Sequence, residues 1–400
     1  MQAPAAESPQ PPPVPGTPPP LPVAEADLPK RRPWPLRFFA GVMSLLDWLF
    51  GLVAILGGLA ILAAVPVLNF LSLGYLLECG GRIARTGRFR DGFVGIRKAS
   101  VIGSIAVCTW IILVPVRLVS DLWRDAQLID PEGSRTIFMG WVLGIVSGLA
   151  LFHISWASYR GGRLQHFLWP APIRFFRWLF GEKGKYRQIR DRTVDGVLAL
   201  RLPYFFWLGA RGFVGGVAWL FLPVAVLVTA AQLPEGPSLL LSLVGIAMLM
   251  FVVLYLPFLQ VHFARTGRFK ALFEVGEVRQ LFRRAPLVFW LALLITLLFA
   301  LPLYLLKIEL TPQDLAWLPA LFFVVSILPA RLLTGWAMSR ALRREQPSNI
   351  LFRLMSRLAA IPVCLVYGLF VWMNQYLSQA GSLGMLEQHA FLVPAPLLGL

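Results

Sequence analysis

Residues 38–89 read FFAGVMSLLDWLFGLVAILGGLAILAAVPVLNFLSLGYLLECGGRIARTGRF. From Phe38 to Gly81 the only formally charged side chains are Asp47 and Glu78; Arg82, Arg85 and Arg88 then follow within one turn and a half. A helix needs about 20 apolar residues to cross the hydrocarbon core of a bilayer. The run is long enough for two such helices, broken near Pro66 and Asn69, which predicts spans at 42–64 and 67–83. One interfacial helix followed by one span is the other reading of the same stretch.

Seven further segments qualify by the same rule, at 100–120, 136–158, 207–231, 238–262, 286–306, 316–338 and 357–377. Composition agrees with them. The 400 residues are 57% hydrophobic and 14% charged, where a soluble domain carries about 25% charged residues. A soluble fold would lack the polar surface it needs. The expected class is an all-α polytopic membrane protein of about nine spans.

The formal charge of +17 raises the question of nucleic acid. Its distribution answers it differently. With the N-terminus inside, every second loop is basic: Arg85, Arg88, Arg90, Arg97 and Lys98; then Arg160 through Arg201; then Arg265, Arg268, Lys270, Arg279, Arg283 and Arg284; then Arg340, Arg343, Arg344, Arg353 and Arg357. The alternate loops are short, and in them acids (Asp121, Asp125, Asp130, Glu132; Glu235; Glu309, Asp314) match or outnumber bases. This is the positive-inside pattern of a cytoplasmic membrane protein. It predicts a bacterial inner-membrane location, N-terminus inside and C-terminus outside, and no nucleic-acid partner.

The hexapeptide at 84–89 returns at Ala264-Arg265-Thr266-Gly267-Arg268-Phe269, 180 positions later. At the same offset Tyr75 meets Tyr255, Phe93 meets Phe273, and Trp156-Ala157 with Arg160 meets Trp336-Ala337 with Arg340. Two anchors in one register imply a duplication, read as 4+4+1 spans. The expected divisions are a Pro-rich cytosolic tail (1–35), a first membrane repeat (36–162), a basic interfacial segment (163–203), a second repeat (204–345), and a ninth span with an extracytoplasmic C-terminus (346–400). The tail holds 13 prolines, is expected to be disordered, and is a candidate ligand for a proline-recognising partner. It has no apolar stretch of the signal-peptide kind.

The Gly74-Tyr75 helix followed by a basic Thr-Gly-Arg-Phe turn resembles a family of uncharacterised prokaryotic polytopic membrane proteins, known as a domain of unknown function. The resemblance covers about 66–120 and its repeat at about 246–306, where Leu254-Tyr255 replaces the Gly-Tyr pair. It implies a membrane location in a bacterium and carries no catalytic residue.

The two turns are the first candidate site. Arg85, Arg88, Arg265 and Arg268 offer guanidinium forks of the kind that bind phosphate oxygens, so anionic headgroups of membrane lipids are the expected ligands. Ionisable and polar groups inside spans are the second: Asn69, Glu78, His153 and Arg331 would form an intramembrane polar site if they met. Ile173 and Phe176, with Phe180, lie opposite Arg174 and Arg177 on a short amphipathic helix expected at the interface. Gly140, Gly144 and Gly148 line one helix face and suit helix packing or a homo-oligomer contact. Cys79, Cys108 and Cys364 form no disulfide or metal spacing. No hydrolase, metalloprotease or nucleotide-binding signature is present. Catalytic residues, metal and cofactor are therefore all expected to be none. The leading expectation is a non-enzymatic membrane component that binds or organises lipid or protein; the alternative is a transporter working between the two repeats.

Overall fold

The computed structural model describes residues 34–179, 195–196, 198, 200–300 and 317–377. The proline-rich tail, the basic run 183–192, Phe180, the 301–316 connection and the C-terminus beyond 377 lie outside the described residues. The chain divides into two units, 1–46 and 47–400. In the first, the described residues are the opening of one helix; the packing below concerns the second.

The described residues are all-helical. The helices are α1 (Trp34–Ala64), α2 (Asn69–Thr86), α3 (Ile96–Ile129), α4 (Ser134–Tyr159), α5 (Leu164–Leu168), α6 (Pro172–Leu179), α7 (Leu202–Ala230), α8 (Glu235–Thr266), α9 (Val275–Arg284), α10 (Pro286–Leu298), α11 (Trp317–Leu342) and α12 (Ile350–Leu377). Short 3-10 turns at Phe89–Gly92 and Phe269–Phe273 follow α2 and α8.

Seven helical stretches are long and apolar enough to cross a membrane: 44–64 of α1, all of α3, α4, α7 and α8, 318–342 of α11 and 350–373 of α12. The pair α9–α10, bent by 113°, would make an eighth. The expected count of nine is therefore not reached among the described residues. The expected span at 67–83 is α2, which carries Glu78, Arg82 and Arg85 within 18 residues. Lipid would not solvate those groups. The expected span at 286–306 is helical only to Leu298, and 301–306 lies outside the described residues. Asp121 and Asp125, expected in a loop, lie in the last turns of the longer α3.

α2 is instead the central post, packed against α7, α8 and α11. Close packing on three sides needs small residues where backbones cross, and α2 has them. Gly74 faces the Phe205 carbonyl and Gly209 of α7; Gly80 faces the Arg331 carbonyl and Gly335 of α11; Gly81 faces Ala264 of α8. At each crossing a Cβ would meet main-chain atoms at under 3 Å. Leu76, Leu77, Leu256, Leu259, Val261 and Phe263 fill the space between, all fully buried. The glycine face of α7 is thus used within the chain, with Gly212 against Leu77 and Gly215 against Leu272. On α4, Gly140 faces Trp123, while Gly144 and Gly148 have nothing within 4 Å among the described residues. Helices α3 and α4 pair with each other and expose Trp110, Ile111, Leu118, Trp141, Ile145 and Leu149 outward.

The repeated sequences take matching local forms. Gly87 and Gly267 both cap their helices in the left-handed region (φ 73° and 72°), each donating its N–H to the carbonyl four residues back at 2.7 Å. Arg160 and Arg340 each lie over the tryptophan four residues earlier, at 5.7 and 5.4 Å from the ring centres. The copies diverge where one has proline. Pro66 falls where α8 has Ile246; α1 ends at Ala64 and α2 starts afresh, whereas α8 runs unbroken. Pro286 falls where α3 has Ala106; α3 runs on for 34 residues, while its counterpart breaks at Ala285 into α9 and α10. Proline has no N–H to donate and its ring crowds the preceding turn, and both breaks lie where only one copy has a proline; Pro115, Pro223, Pro257, Pro329 and Pro362 lie inside helices that run on.

Replacing Gly74 or Gly209 by valine should lower the melting temperature of detergent-purified protein, at a cost of about 3 kcal/mol or more, because the new Cβ meets backbone rather than a movable side chain. Gly57→Ala, with nothing within 4 Å, is the control. Equal melting of all three variants would remove α2 from the centre of the fold.

Candidate anion-binding site

The ends of α2 and α8 meet at the two hexapeptides. Each helix terminus leaves unsatisfied carbonyls and a partial negative charge of about half an electron. Two such ends side by side attract cations, and arginines answer from three helices. Arg85 Nη1 of α2 donates to the carbonyls of Ala264 (2.8 Å) and Arg265 (3.3 Å) at the end of α8. Arg343 Nη2, just beyond α11, donates to the Thr86 carbonyl at the end of α2 (2.8 Å). Arg211 Nη1 of α7 donates to the Gly267 carbonyl (3.2 Å). Gly87 makes room for Arg343, whose guanidinium occupies the space a Cβ would take.

Below this layer lies Glu78, only 3% exposed. Its Oε1 accepts from Arg85 Nη2 at 2.6 Å and pairs with Arg82 Nε at 3.4 Å; its Oε2 accepts from the Tyr204 hydroxyl at 2.8 Å. A buried carboxylate is tolerable only when paired and hydrogen-bonded, and both oxygens of this one are served. The second copy has its own acid. His262, 3% exposed, pairs through Nε2 with Glu274 Oε2 at 2.9 Å. Arg265 Nη2 approaches His262 Nδ1 at 3.4 Å. An arginine can only donate, so this contact fits the tautomer whose Nε2–H donates to Glu274. Arg268 is 3.8 Å from the same carboxylate.

Two clefts open on this cluster. One, of about 570 Å³, is lined by Glu78, Arg82, Arg85, Asp91, Arg201, Tyr204, Arg265 and Thr266 among others. The other, of about 410 Å³, is lined by Ala84, Arg85, Arg265, Thr266, Ser339, Leu342 and Arg343. The first holds two acids against four arginines. The second holds three arginines, two hydroxyls and no acid. Even after two helix ends are set against them, at about half a charge each, the three guanidiniums leave a net positive site. The Arg265 Nε is buried and without a hydrogen-bond partner.

Of the four turn arginines expected as ligands, the structure brings Arg85 and Arg265 together in both clefts; Arg88 and Arg268 line neither. Arg85 is also committed to holding Glu78 and the end of α8. Arg82, four residues after Glu78, forms the local ion pair that the sequence spacing allows; Arg201, Tyr204 and Arg343 belong to the same cluster and were not singled out from sequence. The expected intramembrane set does not converge. Asn69 and Glu78 are on α2, about 13 Å apart along its axis, and Arg331 is on α11, 4% exposed. His153 is on α4, where its Nε2 lies 2.8 Å from the Phe167 carbonyl and ties down α5. Asn69 is buried with neither amide atom hydrogen-bonded. On α6, Phe175 packs against Phe152 and Trp156 while Ile173 and Phe176 are exposed, as an interfacial helix requires.

Residues 185–310 match the model of a family described as "Protein of unknown function (DUF4013)". The match spans the second hexapeptide and α7 to α10, and it agrees with the resemblance to an uncharacterised family. No curated protein matches the chain, and no solved structure does. The apolar helices and the domain of unknown function are those of a membrane protein whose activity is not established.

Glu78→Gln should destabilise the protein by about 2 kcal/mol and Tyr204→Phe by about 1 kcal/mol, measured by unfolding in detergent. A neutral Glu78→Gln would show that the arginines are held by something else. The Glu274 carboxyl, in the connection before α9, is held below its ordinary value, first by the His262 hydrogen bond and then by Arg268, with partial burial opposing. A carboxyl depressed on folding stabilises fully above the ordinary carboxylate range and loses that contribution as pH falls through its folded value. The melting-temperature gap between wild type and Glu274→Gln should therefore close on acidification; a gap constant with pH would contradict the pairing.

Proposed function

We propose that this protein is a non-enzymatic component of a bacterial cytoplasmic membrane that binds the phosphate of anionic lipid headgroups where α2, α8 and α11 end. The observation that carries the reading is the acid-free cleft of Arg85, Arg265 and Arg343 with Ser339 and Thr266 beside them. Three guanidiniums from three helices give the convergent, multidentate geometry that suits phosphate oxygens. The positive-inside distribution would put this layer at the cytoplasmic headgroup level, where anionic lipid is attracted by basic clusters. The exposed face of α6 would lie on the same surface. Gly144 and Gly148, open on α4, remain the place for a second copy to pack.

Native mass spectrometry of the purified full chain with added phosphatidylglycerol or phosphatidylcholine tests the reading. The double variant Arg265→Gln, Arg343→Gln should lose the preference for phosphatidylglycerol, with affinity falling about tenfold for two lost charge-assisted contacts. It leaves the Glu78–Arg85 pair intact, so the fold should persist. An unchanged preference in a folded double variant would remove the headgroup role from this cleft.

A further inference from the structure

A third cavity shares no lining residue with the two clefts. It is a groove of about 520 Å³ between α8, α9, α10 and α12, within the roughly 300–1,000 Å³ of small-molecule sites. Its walls are apolar, with Phe251, Phe258, Phe289 and Leu293 among them. Two features set it apart from a packing gap. Arg279 of α9 and Arg357 of α12 both line it, and neither has an ion pair or hydrogen bond from its side chain among the described residues. The Trp290 indole N–H, also in its wall, is buried and without an acceptor. A buried donor left unpaired is costly, and the two guanidiniums lining the groove have no protein counter-charge among the described residues.

One ligand chemistry satisfies all three groups: an acyl chain for the walls, an oxygen acceptor for the indole, and an anion for the arginines. We propose that the groove binds one molecule of anionic phospholipid, with an acyl chain between α8, α10 and α12, its ester carbonyl at Trp290 Nε1 and its phosphate on Arg279 and Arg357. The order along the groove fits. On α12, Arg357, Ile361 and Cys364 follow one face at i, i+4 and i+7 and span about 10 Å of helix. The charge thus sits at one end and Cys364 about two turns deeper. On α10, Trp290 precedes Leu293 in the same direction, one turn nearer the start of its helix. The bend between α9 and α10 carries Arg279 across the mouth of the groove rather than along it.

The test uses the purified full chain and phosphatidylglycerol bearing a diazirine near the end of one acyl chain. After irradiation, adducts are expected on groove residues such as Met250, Leu293 or Cys364, in competition with unlabelled phosphatidylglycerol and not with phosphatidylcholine. Arg279→Gln with Arg357→Gln should cut labelling about tenfold. Both side chains are exposed, so the fold should tolerate them. Ala360→Phe, which fills the groove, should abolish labelling whatever the headgroup. The cleft variant Arg265→Gln, Arg343→Gln should label normally, which separates failure here from failure of the headgroup reading above. The proposal is overturned if adducts form only outside the groove, if phosphatidylcholine competes equally, or if oleic acid competes as well as phosphatidylglycerol, which would show that no ester or phosphate is recognised.

Discussion

Close backbone contact around α2 is the constraint on which the rest of the molecule depends. Within a bilayer, apolar surface gains nothing by leaving lipid for another helix, so association rests on packing and hydrogen bonds. α2 meets that requirement with Gly74, Gly80 and Gly81, each aimed at a different neighbour. Enclosure on three sides has a second effect. It removes α2 from lipid, so that the helix can carry Glu78, Arg82 and Arg85, which a lipid-facing span of 18 residues could not. The same glycines that make the post thin enough to surround make it a place where charge is tolerated.

Bringing α2 against α8 also brings two helix C-termini together, and the basic cluster follows from that. The arginines are consequently shared between two tasks. Arg85 and Arg343 hold carbonyls of the opposing helix end, and the same guanidiniums border the clefts. Removing Arg85 would expose both a helix end and Glu78, so a loss of binding in that variant would not distinguish ligand contact from loss of fold. Arg265 is different. Its contact to His262 is long and its Nε has no partner, so more of its hydrogen-bonding capacity is free for an anion. This separation within one cluster would be invisible if the turn arginines were treated as equivalent.

Much of the local structure was legible in the sequence. The repeated hexapeptide was legible as two basic turns and the Trp-to-Arg pairs as anchors of one register; the left-handed glycine caps and the guanidiniums over tryptophan are i to i+4 effects that the structure adds to them. The all-helical class followed from apolar length. What was not legible was which apolar run would face lipid. α2 looked like a span because hydropathy counts residues and not neighbours. Arg343 and Arg201 could not be assigned to the site because they arrive from elements distant in sequence, and a turn does not reveal that Arg85 and Arg265 rather than Arg88 and Arg268 line the clefts. His153 was an intramembrane polar residue with an ordinary local partner, the Phe167 carbonyl.

The two copies differ at Pro286, and the groove lies at the break that precedes it. Ala106 lets α3 continue past the point where Pro286 stops its counterpart. The chain then turns by 113°, with α9 packed on α8 and α11 and α10 on α11 and α12. The groove needs both arms of that bend, since Val278, Arg279 and Phe282 come from one and Phe289, Trp290 and Leu293 from the other. A straight helix would present only one of these sets to α8 and α12. The repeated segments thus share their caps and their Trp–Arg contacts, while the groove is walled by both arms of the bent pair.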